Sequence, residues 1–283
     1  MQDALAQAGV GGTVILQSGY HFESETIVID HSVDIVGEEG AVIEASTVAH
    51  DDIAPALHIS NTSDVLVEGV TLLQAPGNAG NVGILVQNAP DVTLRENGLA
   101  GFEVGVFVQN GPRIDISDNT IVDMDRFGIL HLNGLHASIT NNTVDSVGIH
   151  GIWLGDEKGQ CRGNTVSNAI AGILLCHLIE GPNLPDGTKS GAAQPATDWH
   201  VAGNECHDNV LGILVTDGAT SNLLNNNDVW ASTEVDILLE GDFVDVDGTY
   251  DPAAIGNTVV IGSHKNLSVW DFGFDNTVKG LKK

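Results

Sequence analysis

The sequence predicts an all-β fold: a single parallel β-helix, a solenoid of about ten coils of ~22 residues with a short helix capping its N-terminal end. Three observations carry this. A Gly-Ile-x-apolar phrase, once as Gly-Val, recurs at Gly83-Ile84, Gly105-Val106, Gly128-Ile129, Gly151-Ile152, Gly172-Ile173 and Gly212-Ile213, in steps of 22, 23, 23, 21 and 40. A row of asparagines, Asn97, Asn119, Asn142, Asn164, Asn204 and Asn226, runs in phase, in steps of 22, 23, 22, 40 and 22. Each repeat is built of short apolar–polar alternations broken by Gly, Asn and Asp, without helical periodicity. Both rows jump by 40 at the same place, which marks one insertion of about 18 residues between Leu175 and Asn204.

Taken in order, Asp3–Ala8 predicts the cap helix, ended by Gly9. The runs Gly12–Leu16, Thr26–Ile29, Val33–Gly37 and Ala41–Ile43 predict the first strands. Successive coils then stack at about 4.8 Å, for a length on the order of 50 Å. The asparagine row is expected at a bend where φ > 0 is tolerated, with stacked side chains bonding coil to coil. Within each Gly-Ile strand, the first and third residues after the glycine point inward and the second outward. The outward row reads Leu85, Phe107, Leu130, Trp153, Leu174, Leu214 and Leu238, a continuous apolar stripe. Three covers compete for it: the chain's own loops, a homo-oligomer interface, or a ligand groove with Trp153 as a sugar-stacking platform.

Two excursions break the period, at about residues 178–198 and 240–256. Both leave the end of a Gly-Ile strand, with one ordinary coil between them. They are expected to stand as two walls about 10 Å apart, a gap suited to an extended sugar chain. The floor between them is the fifth position after each repeat glycine: Asn88, Asn110, Asn133, Asp156, His177 and Asp217. The change to Asp, His and Asp beside the loops makes Asp156, His177 and Asp217 the candidate catalytic groups. Two carboxylates roughly 6.5–9.5 Å apart suit an inverting glycosidase, and a histidine between them suits proton abstraction next to a uronate carboxylate. The alternative is a row of ordinary polar turn residues. Trp153, Lys158, Arg126, His150 and Asn133 are the candidate substrate-binding residues, Lys158 and Arg126 to neutralise such a carboxylate. Asp242, Asp245 and Asp247, followed by Gly248, read as a calcium loop or else as acidic surface. No organic cofactor is expected.

At the C-terminus, residues 257–283 read as last irregular coils. Trp270, Phe272 and Phe274 are expected to cover the open end of the core. Cys161, Cys176 and Cys206 form no metal or disulfide pattern, and Cys161 and Cys206 read as buried fillers. With 10 Lys+Arg against 38 Asp+Glu and a net charge of −28, nucleic acid is excluded as a partner. High-salt or marine surroundings would also select that charge. No apolar run is long enough to span a membrane. Met1 stands almost on the cap helix, so an upstream leader is expected to be absent from this chain.

The opening, Gly11-Gly12-Thr13-Val14 through Gly19-Tyr20 and then Val33-Asp-Ile-Val-Gly37, resembles the pectate-lyase-like superfamily of right-handed parallel β-helices, with its carbohydrate-binding and sugar-hydrolase repeat branch. The resemblance covers essentially the whole chain. It implies a right-handed coil, a secreted, periplasmic or surface setting, a polysaccharide partner, and often a trimer. His150-Gly151 is similar to the G-H-G motif of polygalacturonases, but Phe127-Gly128 stands where paired aspartates are required. The D-P-H motif of mannuronan epimerases and a pectate-lyase calcium triad are missing. Three functions therefore stand side by side: a polysaccharide lyase, C5-epimerase or glycosidase; a non-catalytic scaffold that assembles through the apolar stripe; and a calcium-dependent carbohydrate-binding module.

Overall fold

The computed structural model describes every residue except 48–52, 78–81, 178–182, 192–193, 245–249, 263–266 and 281–283. The chain winds through three parallel sheets, here A, B and C, of eleven, nine and ten strands. As far as the strand Val235–Leu239 each coil contributes one strand to each sheet in turn, so strands three apart in sequence are hydrogen-bonded neighbours, and the last coils add strands to sheets A and C only. The register never slips. Val106, for example, pairs with Ile84 on one side and Ile129 on the other. Apolar residues of all three sheets meet along one axial core, which runs from Leu5 to Ile261.

The repeat glycine has a steric cause rather than a torsional one. A Cβ at Gly105 would lie 2.7 Å from the Gly128 carbonyl oxygen, and one at Gly128 would lie 2.6 Å from that of Gly151. Each coil therefore needs a glycine because the backbone carbonyl of the next coil stands where a Cβ would go, as at Gly212 against the Asp236 carbonyl oxygen, 2.5 Å away. Val104 pairs with Phe127 and Val106 with Ile129, while the glycine between is skipped, as in a bulge.

The asparagine ladder corrects the sequence expectation in two ways. Its last rung is Asn227, not Asn226, and the left-handed residue is the one before each rung. Glu96, Asp118, Asn141 and Asn226 have φ of 56, 57, 56 and 52°. Each rung turns inward and is buried. The Asn164 Oδ1 accepts from the Asn142 backbone N–H and side-chain amide, both at 2.9 Å, while Asn142 Nδ2 also donates to the Ile116 carbonyl at 2.8 Å. A shorter ladder, Asn222, Asn257 and Asn276, serves the turn that precedes sheet A.

The helix Gln2–Ala8 caps the first coil, with Leu5 fully buried and Gly9 ending it at φ 66°. Gln2 gives its side-chain amide to both backbone groups of Val28, at 2.9 and 3.0 Å, which occupies an exposed sheet edge. At the other end the expectation fails. Trp270, Phe272 and Phe274 are 49, 63 and 51% exposed. Trp270 is in register with Leu238, on the outward row, so it faces away from the core. Leu267, Val269 and Val278 pack against the core there instead. Cys161 and Cys206 are the buried fillers expected, and burial pushes the Cys161 thiol up to about 12. Among the described residues no helix is long and apolar enough to cross a membrane.

Candidate functional site

The apolar stripe points outward from the coil, as its alternation requires, yet it is largely buried. Leu85, Phe107, Leu130 and Leu174 belong to a second cluster on the outer face of sheet C, together with Trp153 and Leu184. The cover is the first excursion. Residues 183–191 do not stand as a wall but fold back over earlier coils. Leu184 inserts into the cluster, and the Ile53 N–H donates to the Asn183 carbonyl. Gln109 forms a reciprocal amide pair with the Gly191 backbone, both bonds at 3.0 Å. Gln87 donates to Asp186 at 2.7 Å, and Asn133 donates to the Gly191 carbonyl. Polar residues at one edge of the stripe thus tie the flap down, and apolar ones fill the space under it.

Beyond the flap the stripe opens into a cleft of about 270 Å³, lined by His150, Trp153, Leu174, Cys176, Leu214, Thr216, Asp217 and Glu240. One wall is aromatic. Trp153 meets Phe127 and His150 edge-on at 5.4 and 5.5 Å, and Phe127 stacks on His150 at 5.8 Å. Among the described residues, Trp153 Nε1 and His150 Nδ1 are both buried without a hydrogen-bond partner, which is costly unless a ligand completes them. Burial holds His150 down at about 4, so its ring is neutral near pH 7.

The opposite wall is acidic. The Thr216 hydroxyl donates to Glu240 Oε2, and the Cys176 thiol donates to Asp217 Oδ2 at 2.7 Å. Thr216 and Glu240 occupy matching positions on adjacent coils, since Val215 pairs with Leu239. Glu240 lines the cleft but is not among the candidate residues read from the sequence. Its strand Val235–Leu239 lacks the repeat glycine, with Asp236 in its place, so the row could be continued to it only through the pairing of Leu214 with Leu238.

The other expected residues are dispersed. Asp156 and His177 are electrostatic neighbours, and burial, then Glu157, raises the Asp156 carboxyl. Neither lines the cleft. Asn88, Asn110, Asn133, Asp156 and Asp217 all have φ between 49 and 62°, so a turn conformation that favours Asn and Asp accounts for most of that row. Arg126 pairs with Glu103 at 2.9 Å and lies 5.0 Å over the Phe127 ring, behind the aromatic wall. Lys158 lines a separate groove on sheet A. Asp242 accepts from the Ala253 N–H at 2.6 Å, while Asp245 and Asp247 lie outside the described residues. Among the described residues no cluster of three or more His, Cys, Asp or Glu could hold a metal ion.

A family model described as "Right handed beta helix region" matches residues 17–178, more than half of the chain. No curated protein matches. Among solved structures, the chain is similar to the enzymatically active domain of bacteriophage CBA120 tailspike protein 2, at 15% identity and TM-score 0.62, covering 98% of this chain and 44% of that one. It is similar to the tailspike of E. coli bacteriophage HK620 in complex with a pentasaccharide, at 10% identity and TM-score 0.65, covering 99% of this chain and 62% of that one. It is also similar to the A-module of a mannuronan C-5 epimerase of Azotobacter vinelandii, at 18% identity and TM-score 0.53, covering 99% and 92%. At these identities the likeness is one of fold.

Proposed function

The chain belongs to the family of the right handed beta helix region, and from that premise we propose that it processes a glycan laid on the face of sheet C, with Asp217 and Glu240 as its acid–base pair. The observation that carries this reading is the meeting of unlike groups across one cleft. Glu240, bonded by Thr216, and Asp217, bonded by Cys176, line the same cleft as Trp153 and His150, whose Nε1 and Nδ1 are buried with no hydrogen-bond partner among the described residues. A sugar offers both faces such a cleft needs: C–H surface to lie on an aromatic ring, and hydroxyls to satisfy buried polar atoms.

The chemistry supported best is glycoside hydrolysis. Asp217 and Glu240 belong to adjacent coils, about 4.8 Å apart in rise, a scale on which paired carboxylates cleave glycosidic bonds. Elimination or epimerisation at a uronate is favoured by a cationic side chain that neutralises the sugar carboxylate, and among the described residues the lining of the cleft includes no Lys or Arg. Two of the fold neighbours are described as an enzymatically active domain and as an oligosaccharide complex, which supports a glycan as the substrate class. An extracellular setting and calcium at the loop that begins with Asp242 are proposed with it.

The test is incubation with neutral and acidic polysaccharides, with and without calcium. New reducing ends without unsaturated product, lost in Asp217→Asn and Glu240→Gln, are the expected result. Unsaturated product or a changed epimer ratio alone would overturn hydrolysis. Loss of activity in chelator would support the calcium.

A second reading, assembly into a homo-oligomer, is favoured by the exposed Trp270, Phe272 and Phe274 on the last coils. Molecular mass in solution tests it, with Trp270→Ser expected to shift any oligomer toward monomer.

A further inference from the structure

The floor of the cleft is closed at one end and open at the other. Leu130 stands next in register to Trp153, followed by Phe107 and Leu85. All three are buried in the cluster that Leu184 of the flap joins. A sugar resting against Trp153 therefore finds no apolar floor to extend over in that direction. In the other direction the row comes to the surface. Trp153 is followed in register by Leu174, Leu214, Leu238 and Trp270. Leu214 and Leu238 are half-buried, and Trp270 is exposed. Along a strand the outward residues change kind within two positions, from Leu214 to Thr216 and from Leu238 to Glu240, whereas along the row they stay apolar.

The open end carries a second aromatic group. Trp270 and Phe272, both exposed, meet edge-on at 6.4 Å. Phe272 occupies the position that matches Glu240, because Leu239 pairs with Asp271 and the Phe272 N–H donates to the Leu239 carbonyl at 2.8 Å. Gly241 is needed for that fit, since a Cβ there would fall 2.6 Å from the Phe272 carbonyl oxygen. Asp217 and Glu240 thus lie between two aromatic groups. Counted in coils of about 4.8 Å, they stand roughly 10 and 14 Å along the axis from Trp153, and Trp270 stands about one coil beyond Glu240. On that scale the closed end holds about one or two sugar rings before the carboxylates are reached.

We propose that the glycan binds end-on: a terminal sugar rests against Trp153 and His150, and the rest of the chain leaves over Leu214 and Leu238 to a platform of Trp270 and Phe272, so that hydrolysis releases a short sugar from a chain end. This rests on the reading of Asp217 and Glu240 as the acid–base pair. The two ends differ for a physical reason. The flap has taken the apolar floor on one side for its own packing, while on the other side that floor ends in aromatic rings that a sugar's C–H face can cover. Asp271 between the rings and Glu240 beside them make the exit acidic. Their carboxylates accept from sugar hydroxyls, and in a chain of net charge −28 they repel both a uronate polymer and a second copy of the protein. A neutral glycan meets neither repulsion.

The experiment follows the products formed by the whole chain from dextran, laminarin and galactomannan, and from their oligosaccharides of graded length, by chromatography with viscosity read in parallel. Mono- or disaccharide from the first time points, with little fall in viscosity, is expected, and oligosaccharides capped at one chain end should resist while those capped at the other are cut. Trp270→Ala and Phe272→Ala should raise KM for long oligosaccharides roughly 2–10-fold, more than for a disaccharide, with the larger share of the effect in KM rather than kcat. Trp270→Tyr should restore most of the loss. Internal fragments of mixed length with an early fall in viscosity, abolished by Asp217→Asn, would overturn end-on binding and leave the proposed hydrolysis standing. A KM that rises equally for short and long substrates, or only together with a change of mass in solution, would overturn the platform. No product from any of the glycans would overturn the hydrolysis and this inference with it. Thermal melts of the variants guard against loss of fold.

Discussion

Thr216 and Glu240, on neighbouring coils, are joined by a hydrogen bond from the threonine hydroxyl to the carboxylate, directly beside Asp217. The bond orients one carboxylate and leaves the other to the Cys176 thiol. Two acids of different surroundings in one cleft are what acid–base division of labour requires. Removing either charge isosterically, as Glu240→Gln or Asp217→Asn, is expected to lower turnover by roughly 10²–10⁴-fold, with the melting temperature nearly unchanged. Thr216→Val should lower it less, because it alters one carboxylate's partner without removing it. Initial rates and melts on the same preparations check both.

His131 points into the coil interior, between Val108 and Leu154 on the neighbouring strands, and is fully buried. Burial depresses its ring to about 4 from 6.5. The unfolded chain therefore binds the proton first, and stability contributed by the neutral ring is present above about pH 6.5 and lost as pH falls toward 4. The full span is worth about 3 kcal/mol. His131→Leu, which matches its neighbours, is expected to flatten that part of the stability–pH curve, read from urea unfolding at pH 7 and pH 5.

Asn142 sits mid-ladder, with both partners buried. Asn142→Ala removes the buried bonds that this side chain makes with the Asn119 backbone N–H, the Asn119 amide and the Ile116 carbonyl. A loss of about 1–3 kcal/mol is expected. Asn141→Ala, at the exposed residue just before it, removes no rung and should cost less, through its φ of 56° alone. Denaturant midpoints of the two variants test which residue carries the ladder.

The flap over the stripe is held by Leu184 and the Gln109–Gly191 amide pair. Leu184→Ala should cost about 2–5 kcal/mol if the flap stays docked around the hole. If it undocks, the loss is smaller and hydrogen exchange rises at residues 183–191. In either case dye binding to Leu85, Phe107 and Leu130 should increase.

The solenoid was legible because its causes are local and repeated. A glycine that must clear the next coil's backbone, an asparagine that must bond the next asparagine, and an inward apolar pair recur at one period. Each is a requirement between neighbours in the stack that reappears as spacing in the chain. The ladder's last rung was misread, at Asn226 rather than Asn227, because Asn225-Asn226-Asn227 offers three candidates and only burial selects one.

The candidate cleft was legible in part. His150, Trp153 and Asp217 lie together in the cleft, whereas Lys158 and Arg126 lie elsewhere. Spacing gives the row a residue occupies, and hence its neighbours along the axis. It does not give the path of a segment that leaves the coil.

By itself, then, the sequence determined the coil, its period, its inward and outward faces and its N-terminal cap, since those follow from periodic constraints between adjacent residues of the stack. Only the tertiary structure decided that residues 183–191 lie down over the stripe instead of standing beside it, that the cleft begins where they stop, and that Glu240 completes its acidic wall. Those outcomes depend on how a non-periodic loop buries Leu184 against apolar surface from distant coils, a balance of packing that no local pattern encodes.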